Sequence, residues 1–170
     1  ATSLDRQLQY SVDKMLFFRT SMHDALQTPL GFDVLRDAVS RFSAVRTDET
    51  WQLAVDKKRT LPLNGVSDAF VAKSTLLNRD SERISNEISA ALEVGYLLRL
   101  ASSGVQSEER IIYVSRAGFY LSTDTPDMAD DISARYYFLV TQPWFTLHSE
   151  RHNRARAVRW FISAPSPWSN

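Results

Sequence analysis

The chain has 170 residues, with 20 Lys+Arg against 20 Asp+Glu and no cysteine. That length favours one domain, large enough to bury a core without covalent staples. Zero net charge argues against a dedicated nucleic-acid binder, which carries a basic excess. The lack of thiols removes disulfides, thiolate metal sites and cysteine nucleophiles together. The longest stretch without a formal charge is the 14 residues from 136 to 149, and Pro143 interrupts it. A bilayer span needs about 20 apolar residues, so nothing here crosses a membrane. No secretory leader is visible, and the chain opens at Ala1 as if inside a helix. It therefore reads as a segment of a longer protein.

Leu4, Leu8, Val12, Met15, Met22 and Leu26 recur at steps of three, four or seven and predict a helix over about residues 2 to 26. Its middle, Met15-Leu16-Phe17-Phe18, is apolar almost all round. One core-facing stripe does not require that, so Met15, Phe17 and Phe18 are expected to bury a second face against a partner or another layer. Thr28-Pro29-Leu30-Gly31 breaks the helix, and Asp33 is a cap candidate ahead of Leu35, Val39 and Phe42. Residues 46 to 66 read as polar and irregular, with Trp51 as an anchor and Leu61-Pro62-Leu63-Asn64-Gly65 as a turn. Ser67 caps a short helix carrying Phe70 and Val71. A stronger helix follows Asp80-Ser81, with Ile84, Ile88, Ala91, Leu92 and Gly95 on one face, and ends at Ser102-Ser103-Gly104. Its wider apolar half, Leu97 to Leu100, is expected to be buried.

The period then changes. Ile111 to Val114 and Phe119 to Leu121 flank Arg116-Ala117-Gly118, which predicts a hairpin. An acidic loop follows over residues 124 to 131. Tyr136 to Val140 is helix or strand. Pro143 suits a first helical position, with a helix from Trp144 to about Asn153. Residues 157 to 162 are a third strand candidate. The order predicts an α+β fold with helices on one side of an antiparallel sheet. Residues 1–27 form the long helix, 28–109 a helical region and 110–170 a β-rich region.

His148 and His152 stand four apart with Glu150 nearby, a spacing that suits zinc or nickel on one helix face. A solvated polar face is the competing reading. Arg151, Arg154, Arg156 and Arg159 can hold an anion through bidentate contacts, or balance the charge of Asp124, Asp127, Asp130 and Asp131. There is no glycine-rich phosphate loop, nucleophile elbow or triad spacing, so the chain carries no catalytic constellation. The aromatic residues Tyr113, Tyr120, Tyr136, Tyr137, Trp144, Phe145 and Trp160 stand beside Arg116, Arg135 and Gln142. Such a set walls a small-ligand pocket or simply forms core. Strand alternation puts Tyr113 and Ser115 on one face, and Val114 and Arg116 on the other.

The strings LQYSVDKMLFFR (8–19), RTLPLNGVSDAFV (59–71), NEISAALEVGYLLRLA (86–101), YVSRAGFYLST (113–123) and the stretch 135–161 resemble enterobacterial inner-membrane diguanylate cyclases that regulate cellulose synthesis and biofilm formation. The resemblance covers nearly the whole chain. It implies a periplasmic sensor between two membrane helices, followed by a cytoplasmic GGDEF domain. That domain would join two GTP molecules into cyclic di-GMP with Mg²⁺ or Mn²⁺, as a homodimer. No GGDEF-type string occurs here, so this segment would need no cofactor and would meet the membrane only through flanking helices.

The sensor part is similar to the Cache (PDC) class, a PAS-like antiparallel sheet behind a long N-terminal helix. Residues 113–120 resemble the first hairpin of that sheet, and the class continues with further strands past Asn170. Gln142-Pro143-Trp144-Phe145 resembles an R-x-W-Y ligand motif, with Gln142 in place of arginine and Phe145 in place of tyrosine. The resemblance thus implies an unknown small periplasmic ligand at Tyr113, Arg116, Tyr136, Gln142, Trp144 and Phe145. It also implies a dimer and signalling helix around Met15, Phe17 and Phe18. The alternatives are a ligand-independent dimerisation or protein-interaction module, and a hydrolase with unrecognised residues.

Overall fold

Helix α1 (Ser3–Gln27) opens on a capping box rather than in mid-helix. The Thr2 hydroxyl accepts from the Asp5 amide at 3.3 Å, and the Asp5 carboxylate accepts from the Thr2 amide at 2.9 Å. Two otherwise orphaned donors are satisfied reciprocally. The computed structural model describes residues 2–28, 45–46, 49–53, 60–80, 83–103, 110–123, 132–149, 151–157, 159 and 161. The cap expected at Asp33, the acidic loop at 124–131 and the end of the chain after Phe161 lie outside these residues.

Only Phe18, Met22 and Ala25 of α1 are buried. They share the stripe that the helical period marks, and they pack on the second long helix, α3 (Ile84–Ser103). The first turns have nothing beneath them, and residues 2 to 10 are exposed throughout. Met15 and Phe17 are exposed as well, so the expected second buried face is not found among the described residues. Phe18 instead belongs to the intramolecular core.

Among the described residues five strands form one antiparallel sheet: β1 (Val45–Arg46), β2 (Thr50–Leu53), β3 (Leu63–Val66), β4 (Ile112–Ser115) and β5 (Phe119–Ser122), in the order β1-β2-β3-β5-β4. Three of them come from the stretch read as polar and irregular. The 112–122 hairpin is therefore the last pair in the sheet, not the first. Asn64-Gly65, read as part of a turn, lies inside β3 and pairs with Tyr120 and Phe119 of β5. Gly65 is needed there because the Trp51 indole crosses it. A Cβ on Gly65 would stand 2.1 Å from Trp51 Cε2. The same indole donates its Nε1–H to the Val66 carbonyl at 3.2 Å. Asn64 is fully buried and accepts from Gln52 Nε2 at 2.7 Å.

Every residue of β3 and β5 is buried. Helices therefore cover both faces of the sheet, not one. On the first face Leu53, Leu63, Phe119 and Leu121 meet α1 and α3 (Ile84–Ser103), which supplies Ala90, Ala91, Leu92, Val94 and Leu98. Within the apolar end of α3, Leu98 is buried but Leu100 is exposed. On the second face Val66 and Tyr120 meet α2 (Asp68–Ala72), α4 (Ile132–Thr141) and Phe145 of α5 (Pro143–Thr146). Ser67 caps α2 as expected, accepting from the Phe70 amide.

Arg79 ties the two layers to the hairpin turn. It donates to the Ala117 carbonyl at 2.9 Å and the Val66 carbonyl at 2.7 Å, and pairs with Asp68. Gly118 turns the chain at φ 96°, and a Cβ there would meet Arg79 Nη2 and Val71 Cγ2 at 2.7 Å. Helix α5 is one turn, shorter than the helix expected to Asn153. The competitor is Asn153 itself. Its buried amide donates to the Ala157 carbonyl at 2.9 Å and accepts from the Ala157 amide at 3.1 Å, closing a loop instead of extending a helix. Arg159 and Phe161, within the third strand candidate, are not in a strand.

Overpacking at the Trp51 crossing is testable. Gly65→Ala should lower stability by about 1–3 kcal/mol in urea denaturation. In a Trp51→Ala background the same change should cost much less, because the clash is gone. Equal costs in the two backgrounds would assign the effect to something other than this contact.

Candidate functional site

Strand β4 is the outer strand. The Thr123 amide donates to the Ile111 carbonyl at 3.1 Å. By antiparallel alternation this directs the amides of Ile112 and Val114 away from β5, to the free edge. Among the described residues no strand pairs with that edge. A cavity of about 380 Å³ runs along it. Its walls are Ile112–Val114 of β4, Arg116 of the turn, Trp144 and Phe145 of α5, and His148, Arg159 and Phe161 of the segment beyond.

Each wall is held by identifiable contacts. Arg116 places its guanidinium 4.8 Å from the Phe145 ring centroid and donates to the Leu76 carbonyl at 3.2 Å. Trp144 meets Phe145 edge-on at 6.3 Å. The His148 Nδ1–H donates to the Trp144 carbonyl at 3.0 Å, which leaves Nε2 as the other ring nitrogen, and its ring meets Phe161 at 5.5 Å. Rings on the walls with guanidinium and imidazole heads suit a small molecule with an apolar body and an anionic end.

Arg116, Trp144 and Phe145 are thus brought together on one cavity wall. Tyr136 and Gln142 are not part of the cavity wall. Tyr136 is fully buried, stacks on Tyr120 at 6.3 Å and donates its hydroxyl to the Ser115 carbonyl at 2.7 Å. Buried Gln142 donates to the Phe138 carbonyl at 3.2 Å, back along α4. Tyr113 borders the cavity from β4, but its hydroxyl reaches Glu87 Oε1 on α3 at 2.8 Å. Ser115 Oγ donates to the same carboxylate oxygen at 2.5 Å. Strand alternation had placed Tyr113 and Ser115 together on this face, away from Arg116.

Sequence reasoning missed Glu87 and Arg79, which look like surface charges on a linear reading. It noticed His148 and Arg159, but for other roles. Helix α5 ends at Thr146, so His148 and His152 do not share a helix face, and His152 Nδ1 bonds Ser149 Oγ at 2.8 Å. Among the described residues no group of three His, Cys, Asp or Glu side chains can hold a metal ion.

Burial, with the negative charge of Glu87 second, raises the Tyr113 hydroxyl well above its ordinary pKa of 10.0. Burial also raises Tyr136 above the same value. A raised folded value means the fold keeps protons that the unfolded chain releases. The stability involved is complete below the unfolded value and is lost as pH rises beyond it. Denaturation midpoints should therefore hold to about pH 9.5 and then fall. Tyr113→Phe with Tyr136→Phe should flatten that fall. An unchanged slope in the double variant would place the titrating groups elsewhere.

No solved structure matches this chain. The CHASE7 family, described as a periplasmic sensor domain, matches residues 1–164. That span includes both faces of the sheet and every residue of the cavity wall. The chain belongs to the CHASE7 family of periplasmic sensor domains.

Proposed function

We propose that this domain is the signal-input part of an inner-membrane diguanylate cyclase, and that it binds a small periplasmic ligand in the cavity along β4. The observation that carries the ligand reading is the convergence of Arg116, Trp144, Phe145, His148 and Arg159 on one strand edge. The strings shared with cellulose-regulating cyclases support the link to cyclic di-GMP. In that reading the catalytic chemistry, GTP and Mg²⁺ or Mn²⁺ belong to the GGDEF domain of the parent protein. The sensor contributes only a bias between two pre-existing arrangements of a homodimer. Signal would leave through α1, whose first turns stand clear of the body.

A thermal-shift screen of amino acids, dicarboxylates, polyamines and nucleotides tests the ligand reading. A ligand at 100 times its dissociation constant adds about 2.7 kcal/mol of stability. Trp144→Phe should leave the fold intact and weaken that ligand several-fold, for about 1 kcal/mol of lost ring contact. If Trp144→Phe and Arg116→Gln both leave affinity unchanged, the ligand sits elsewhere.

A second reading, dimerisation without a ligand, is favoured by the exposure of Leu4 at 62% and Phe17 at 55% on α1. Phe17→Asp separates the roles, since Phe17 is exposed whereas Phe18 is core. In the full-length protein Phe17→Asp should change cyclic di-GMP output without unfolding the sensor. Unchanged output would remove α1 as the transmitting surface.

A further inference from the structure

A second cavity, of about 470 Å³, lies between the middle of α1 and the loop that follows α5. Met15 and Arg19 line it from α1, and Asn153, Arg156 and Ala157 from the loop. His148 and Arg159 border both this cavity and the one along β4. Three arginines therefore line one space together with His148. Among the described residues no carboxylate lines it, and none forms an ion pair with Arg19, Arg156 or Arg159.

The arrangement is built. Buried Asn153 locks the loop through its two bonds to Ala157, and its carbonyl accepts from the Arg156 amide at 2.9 Å. Arg156 sits at φ 48°, a left-handed conformation that non-glycine residues rarely adopt. Its carbonyl accepts from Arg19 Nη1 at 2.7 Å, which fastens the loop to α1. Strain of this kind persists where the surroundings over-determine it, and it clusters at ligand clamps. Arg151 and Arg154, in the same basic run, are exposed and line neither cavity.

We propose that this cavity binds a small soluble oxyanion carrying two or more negative charges, a dicarboxylate or a phosphate, held between Arg19, Arg156 and Arg159. Guanidinium groups match such oxygens two at a time, and three like charges around one space call for a multiply charged guest. The occupant spans α1 and the loop, and so strengthens the Arg19 tie between them. That consequence for signalling rests on the input-domain reading above; the binding itself does not.

Calorimetric titration of the 170-residue chain with succinate, citrate and inorganic phosphate, at ionic strength fixed with sodium chloride, tests the site. At least one probe should bind saturably at one site per chain, and the succinate and phosphate arms tell carboxylate from phosphate recognition. Arg156→Gln and Arg159→Gln should each weaken that probe about tenfold or more. Arg154→Gln, the same charge change outside the cavity, should leave its affinity within about twofold. Far-UV circular dichroism checks each fold. Should Arg156→Gln unfold the loop, exposed Arg159, which no described contact ties to the loop, decides alone. No saturable binding by any probe, or equal weakening in all three arginine variants, overturns the site. A chain that binds the anion while full-length cyclase output ignores it keeps the site and sinks the signalling reading.

Discussion

Strands β3 and β5 have no face toward water, and the rest of the molecule is arranged to make that tolerable. Double-sided burial demands side chains that fill space on both faces and polar groups that find partners inside. Asn64 meets this demand through Gln52 and the carbonyl of Pro62, just ahead of β3, and Tyr120 stacks on Tyr136. Where the space is too small for any side chain, glycine stands, under the Trp51 indole at Gly65 and against Arg79 at Gly118. Each helical layer then has a defined task, α1 and α3 on one face and α2, α4 and α5 on the other.

The two cavities described above lie at the perimeter of this core. The edge of β4 is nevertheless held from both sides. Ser115 bonds Glu87 of α3 through its hydroxyl and receives the Tyr136 hydroxyl of α4 on its carbonyl. The next residue is Arg116, so the cation at the cavity mouth projects from a backbone fixed by two layers. This is how a rigid scaffold positions a loop-borne binding group.

The parts of the fold legible in the sequence are those with a local cause. The period of α1, the cap at Ser67, the period of α3 and the hairpin with its Gly118 turn can each be read within about a dozen residues. The first three strands cannot. Asn64-Gly65 is a strong local turn signal, and only the Trp51 ring from another strand explains its place inside β3. Cavity residues divide in the same way. Trp144 and Phe145 stand out through the cluster of large rings between residues 113 and 160. Tyr136 carries the same signal but packs inward, because the helical turn at that position faces Tyr120. Resemblance to a ligand motif at Gln142 could not show that its amide bonds the carbonyl of Phe138. His148 and Arg159 were visible only as charges. Their meeting depends on the bend that Asn153 makes, which has no periodic signature.

Helix α1 is two helices in terms of local stability. From Phe18 onward it shares in the cooperative unfolding of the core, because Phe18, Met22 and Ala25 are packed on α3. Its first turns, exposed from Thr2 to Tyr10, carry the Thr2 cap, the Gln9–Asp13 bond and the Lys14 ammonium 4.9 Å from the Tyr10 ring centroid. Helical segments of this length are marginal alone in water. The N-terminal half therefore exchanges its amide hydrogens through fraying from Ser3, while the C-terminal half exchanges with the domain. A signal passing along α1 crosses that boundary, and contacts made by the first turns set how far the ordered helix extends.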